Sequence, residues 1–275
     1  MPTRPIACGI ALRDEYIAPL LAMRDRTALD IVEVMVEDGF ASTARVRDWQ
    51  RIGARWPLIS HGTELGPGDA EGVQRDYLAQ VQQVLGTIGT QWHSDHLCFL
   101  RSDRDHVGLG SFGPLALDDH DLHVLKRNLA EVHATIRGHV LLENPADVLG
   151  FAGSDGAKLG RDYARALSAA GVGGLLDVTN LALNARNDGF DPLDFLQHIA
   201  WDRVIEVHLA GGRLAGGLWI DSHDHPVDEE SWALLSVVVQ RAPHLRAVII
   251  ERDDRLPPLE TLLAEVDRAR GVVGR

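Results

Sequence analysis

Eight short, mainly apolar runs rich in β-branched residues recur along the chain: Ala7–Leu12, Ile31–Met35, Leu58–Ser60, Gln91–His96, His139–Leu142, Gly174–Leu176, Val204–Val207 and Ala247–Ile250. Runs of this length and composition predict strands covered on both faces, as in a parallel sheet. The segments between them carry helical period. Val73, Tyr77, Val81, Val84 and Ile88 form one apolar stripe, and Leu122, Leu125, Leu129, Val132 and Ile136 another. Trp232, Leu235, Val238 and Val239 make a third, and Leu259, Leu262, Leu263 and Val266 a fourth. Eight strand–helix alternations predict an α/β chain folded as a TIM-like (β/α)8 barrel, with residues 1–275 as a single domain. The competing architecture, an open doubly wound sheet, usually has fewer strands and a glycine-rich first turn. No GxGxxG follows the first run, and neither GxxxxGKS nor GxxxxGKT occurs.

A barrel of this kind builds its site at the C-terminal ends of the strands. Here the third to eighth runs lead into His61, His96, Glu143, Asp177, His208 and Glu251. Histidines and carboxylates are under a fifth of the chain, 13 and 40 of 275 residues, so six consecutive tips of these types are not expected by chance. A charge near the barrel axis is costly unless something neutralises it. No lysine or arginine stands at these tips, which leaves a metal as the natural cation. The loop after the seventh run, "IDSHDHPV", adds Asp221 and His223 with D-x-H spacing, suited to two ligands on one ion. Imidazole and carboxylate donors without thiolate suit iron, manganese or zinc. Magnesium and calcium use fewer histidines. A polynuclear metal site at the strand tips is the expectation.

Composition excludes several other classes. The formal charge of −13 disfavours nucleic acid and anionic membranes as partners. Cys8 and Cys98 lack CxxC spacing, so neither a disulfide framework nor a thiolate zinc site is expected, and a reducing cytoplasm suits the chain. The N-terminal stretch has no apolar signal core, and no 18-residue apolar run occurs. Most remaining histidines (His93, His106, His120, His123, His133, His139, His198 and His244) read as solvated, His225 as more exposed than liganding, and Cys98 as a small buried thiol. The segment Arg101–Asp121 is too long for a simple connecting turn and reads as a lid or partner-docking loop.

The motifs GIALR, VEVMVED, SDHL, LLENPADVL, LLDVTNLALNARNDGFDP, EVHLAGG, IDSHDHPVDEESWALL and IIERDDRLPPL, in this order, resemble the multinuclear non-heme iron-dependent oxidases. That family includes the iron enzyme of methanobactin biosynthesis. The resemblance implies a TIM-like barrel with two or three irons of mixed Fe(II)/Fe(III) valence, and O2 as co-substrate. Carried onto this chain, it implies that His61, His96 and Glu143 hold one iron. Glu143 then bridges to a second held by Asp177, His208 and Glu251, and a third involves Asp221, His223 and Asn180. It further implies a ribosomally made precursor peptide as substrate, modified most often at cysteine in natural-product (RiPP) biosynthesis, and a small leader-binding partner protein forming a heterodimer. Glu37 and Asp253 lie where they can orient ligands or pass protons. The alternative kept beside this reading is a divalent-metal-dependent isomerase or hydrolase on a TIM-like barrel, since such enzymes share strand-tip ligands. A third is a non-catalytic metal store.

Overall fold

The computed structural model describes residues 5–101, 108–146 and 155–274. The eight runs form parallel strands β1 (Ala7–Ala11), β2 (Ile31–Met35), β3 (Leu58–His61), β4 (Trp92–His96), β5 (His139–Glu143), β6 (Gly173–Asp177), β7 (Val204–Leu209) and β8 (Ala247–Ile250). Each pairs with the next in sequence, and β8 returns to β1, so the sheet closes into the expected barrel. Closure removes every strand edge from the barrel wall.

The helices seat their apolar stripes on the outside of this wall. The helix Arg75–Ile88 buries Tyr77, Leu78, Val81, Val84 and Leu85, and ends where Gly89 takes a left-handed conformation (φ 70°). The helix Asp119–Thr135 starts at Asp118, whose side chain accepts from the amides of His120 and Asp121. Among the described residues, no helix is long and apolar enough to cross a membrane.

The period-2 alternation of a strand sorts residues between the wall's two faces. A separate apolar cluster of Ala11, Ile31, Ile59, Trp92, Leu141, Leu175, Ala247 and Ile249 fills the interior. Two residues further along the same strands, on the same face, stand Glu33, His61, Ser94, Glu143, Asp177 and Glu251. The interior is thus an apolar plug with a polar tier directly above it. Register aligns that tier: His96 lies opposite Glu143, and Asp177 opposite His208.

Two antiparallel hairpins rise from the barrel mouth. Phe99–Arg101 pairs with Gly108–Gly113, within the segment read as a lid or docking loop, and Arg213–Ala215 pairs with Leu218–Ile220. Residues 102–107, with His106, lie outside the described residues.

The first strand tolerates no side chain at Gly9. A Cβ built there lies 2.0 Å from the carbonyl oxygen of Ile31 on β2, and backbone cannot yield as a side chain can. Gly9→Ala is expected to lower stability by about 1–3 kcal/mol, read as a lower denaturant midpoint. An unchanged midpoint contradicts the close β1–β2 approach.

Candidate metal centre

The six tip residues converge because each stands at or within one residue of the end of its strand and faces inward. His61, His96, Glu143, Asp177, His208 and Glu251 are all buried, none more than 8% exposed. His61 Nε2 and His96 Nε2 each lie 3.4 Å from Glu143 Oε2. His208 Nδ1 lies 3.0 Å from Glu251 Oε2. A separation of 3.4 Å is long for a hydrogen bond. It matches the edge of a coordination polyhedron: bonds of about 2.1 Å put neighbouring ligand atoms roughly 3.0–3.4 Å apart.

Two loop residues approach the same place from above. Asp221 Oδ1 and His223 Nε2 are 2.7 Å apart, yet neither has a hydrogen-bond partner. His223 adopts φ 48°, a left-handed backbone unusual outside glycine, which turns its ring inward. Asp253 Oδ2 accepts from His223 Nδ1 at 2.9 Å, while its other oxygen takes Arg13 Nε at 2.8 Å. Asp253 therefore orients a loop histidine. Asn180 is placed by its own helix: its amide donates to Asp177 Oδ1 at 2.6 Å, and its side-chain nitrogen to Glu143 Oε1 at 3.2 Å. Glu37 touches none of these nine residues. It accepts from Tyr77 Oη at 2.7 Å and from the Thr63 amide at 2.8 Å, which secures the turn after His61.

The buried polar atoms test whether a metal fits. Glu143 Oε2, Asp177 Oδ2, Asn180 Oδ1, His208 Nδ1, Asp221 Oδ1 and His223 Nε2 all lack hydrogen-bond partners. Orphaned buried polar atoms are rare in folded proteins, and several facing one space need a common partner. Four overlapping groups have ligand atoms within 4.8 Å of one another: Glu33–His61–His208, His61–His96–Glu143, Glu143–Asp177–His208 and Asp177–His223–Glu251. This donor set fits metal ions.

Several participants carry no obvious signal in the sequence. Glu33 interrupts the run "IVEVM" in mid-strand, and its inward side chain meets His208. Ser94 Oγ bonds His61 Nδ1 at 2.9 Å. Asn144 exchanges hydrogen bonds with the Asp177 backbone, giving to its carbonyl and accepting from its amide, both at 2.9 Å. Phe112, from the first hairpin, stacks on the His96 ring with centroids 3.9 Å apart. The reading of His93 as solvated is corrected. It lies on β4, fully buried, facing the helices with its Nδ1 3.0 Å from Ser60 Oγ, because a strand residue covered by a helix has no access to water. His120, His123, His133, His139, His198 and His244 are exposed, and Cys98 is buried.

In the metal-free cluster, burial governs protonation. It pushes Glu33 up to about 8 against the pull of His208, and Asp177, beside Asp221, up to about 7. Burial also holds Glu143 well above the carboxylate range. It drives His96 down to about 3 and His93 to about 4. Burial opposes the His208–Glu251 pair too, but their mutual attraction wins, leaving His208 raised and Glu251 lowered. Protons thus occupy carboxylates where a cation would otherwise sit.

Fold and site together define a closed (β/α)8 barrel whose mouth carries side-chain groups that could hold metal ions. The model of the RiPP precursor modification enzymes MbnB/TglH/ChrH matches residues 7–273, and the chain belongs to this family. A UPF0276 protein of Caulobacter vibrioides is 34% identical over 275 residues, covering 97% of this chain and 95% of that one. Another, of Rhizorhabdus wittichii, is also 34% identical, covering 95% and 93%. Among solved structures, a xylose isomerase domain protein of Salmonella typhimurium matches with TM-score 0.65 at 12% identity over 100% of both chains. D-psicose 3-epimerase of Clostridium cellulolyticum matches at 0.64 and 11%, over 98% of this chain and 99% of that one. These two show a shared barrel.

The protonation pattern sets a pH dependence. Between pH 6.5 and 8 the folded, metal-free protein retains protons on Glu33 and, to about 7, on Asp177, which the unfolded chain has already released. Stability then falls as pH rises. The lowered His61, His93 and His96 act in the opposite sense, but their unfolded imidazoles are already half deprotonated at pH 6.5, so over this window their contribution is the smaller. Chelator-stripped protein should melt at lower temperature at pH 8 than at pH 6.5, and added divalent metal should raise Tm more at pH 8, because binding displaces those protons. Equal increments at both values count against a metal among these groups.

Proposed function

We propose that this protein is an iron- and O2-dependent oxidase that modifies a cysteine of a ribosomally made precursor peptide, acting in the cytoplasm with a small leader-binding partner. The observation that carries this reading is the convergence of orphaned imidazole, carboxylate and amide atoms at the barrel mouth. His61, His96 and Glu143 would hold one ion. Asp177, His208 and Glu251 would hold a second, bridged by Glu143, and Asp221, His223 and Asn180 a third. Asp177 and Glu251 fall in one group with His223, so the second and third positions adjoin. Bound iron of mixed valence supplies the one-electron chemistry by which O2 oxidises the substrate cysteine.

The chain's own residues prepare that site. Ser94 and Asp253 hold the Nδ1 atoms of His61 and His223, which aims both Nε2 atoms inward. Phe112 covers the His96 ring and keeps water from that side. Beside it runs an open cleft of about 530 Å³ lined by Thr63, Glu64, Leu100, Arg101, Ser111 and Phe112, which we assign to the peptide. The Asp221 and His223 side chains, 19% and 13% exposed, are the most accessible of the paired ligands, so the substrate approaches over the loop.

Elemental analysis and Mössbauer spectroscopy of anaerobically purified protein test the reading. Two or three coupled irons per chain are expected, together with an O2-dependent mass change at a cysteine when precursor peptide and partner are supplied. Glu143→Ala should lose at least one iron and all turnover. Stoichiometric zinc or manganese, with activity that needs no O2, favours isomerase or hydrolase chemistry instead.

A further inference from the structure

We infer that Glu33, within β2, is a positioning residue that decides which nitrogen of His208 faces the metal. The inference rests on reading the strand tips as a metal centre. Glu33 is fully buried, and its Oε2 lies 3.2 Å from His208 Nε2. The opposite ring nitrogen, Nδ1, has no hydrogen-bond partner and stands 3.0 Å from Glu251 Oε2 among the other orphaned atoms. An imidazole with a carboxylate below and ligand atoms above has its tautomer set from below. Nε2–H donates to Glu33, and the Nδ1 lone pair is left for the ion.

The surroundings leave Glu33 alone in this role. Glu206 is the other buried carboxylate near Nε2, but its Oε1 is 3.7 Å away, and Trp92 Nε1 ties its Oε2 at 2.8 Å. Glu33, His61 and His208 also have candidate ligand atoms within 4.8 Å of one another, the spacing of a separate ion site. His61 argues against that. Its Nδ1 bonds Ser94 Oγ, and its Nε2 lies 3.4 Å from Glu143 Oε2 in the first group. One ring nitrogen serves one ion, so Glu33 would have His208 as its sole partner. A strand-borne carboxylate beneath this histidine also cannot swing aside as a loop residue can, so once the ring is neutral its Nε2 proton stays on the Glu33 side.

The test uses zinc as a diamagnetic probe with protein labelled with 15N at histidine. Wild-type protein is expected to show His208 coordinated through Nδ1 and protonated at Nε2. Glu33→Leu should weaken zinc binding by about 10–100-fold. Glu33→Gln keeps an acceptor oxygen and should retain most of the affinity and the same His208 signature. Coordination through Nε2, or unaltered affinity in a folded Glu33→Leu protein, overturns the role of Glu33 while leaving the metal centre standing. Loss of one whole zinc equivalent in both variants, with the His208 signature unmoved, also overturns it, since Glu33 is then itself a ligand. If wild-type protein binds no zinc, iron or manganese, the metal-centre reading fails and this inference with it.

Discussion

Everything at the mouth of this barrel depends on one electrostatic constraint. Glu33, Glu143 and Asp177 are buried, and each lies within reach of the charge of buried Glu251. Two like charges about 4 Å apart repel by about 4 kcal/mol even at an effective dielectric of 20. Full ionisation without compensation would therefore consume much of the stability of an ordinary domain, about 5–15 kcal/mol. The structure offers two ways out: protons on the carboxylates, or cations between them. Only the second uses the orphaned nitrogens and oxygens as well. A cluster that is tolerable when protonated could trade those protons for metal ions, which would also satisfy its orphaned atoms.

The barrel builds this cluster with a single device, the two-residue repeat of a strand. Position n in β3, β5, β6 and β8 is apolar and fills the plug, through Ile59, Leu141, Leu175 and Ile249. Position n+2 is His61, Glu143, Asp177 or Glu251. A one-residue slip in β5, β6 or β8 would bury the carboxylate under a helix and turn Leu142, Leu176 or Ile250 into the mouth. Register is thus under double constraint, from the plug below and the ligands above. The same rule explains His93 and Asp95, which fall between Trp92, Ser94 and His96 and so face the helices, where Ser60 and Tyr77 partner them.

Much of this was legible in the sequence because parallel barrel strands are covered on both faces and read as unbroken apolar runs. A histidine or carboxylate at the end of such a run is conspicuous, and all six tips were visible for that reason. Glu33 was hidden by the same logic. It sits inside "IVEVM" rather than at its end, and only the closed sheet reveals that its face points to the axis. Ser94, Asn144 and Phe112 escaped because small or common residues acquire a role from register and hairpin geometry, which composition does not encode. The hairpin carrying Phe112 is glycine-rich, with neither strand alternation nor helical period to announce it.

The scaffold alone does not select the chemistry. Barrels of sugar epimerases and isomerases superpose on this one with little shared sequence, so the wall is common property. What distinguishes this chain lies above the wall. Inner donors stand on strands and are rigid, whereas Asp221 and His223 hang from a loop. A left-handed residue there costs about 1–2 kcal/mol and persists only where its surroundings hold it. Arg13 and Asp253 do the holding, across 240 residues of sequence. The fold thus accepts local strain and a long-range ion pair to bring one more imidazole to a mouth already rich in donor atoms.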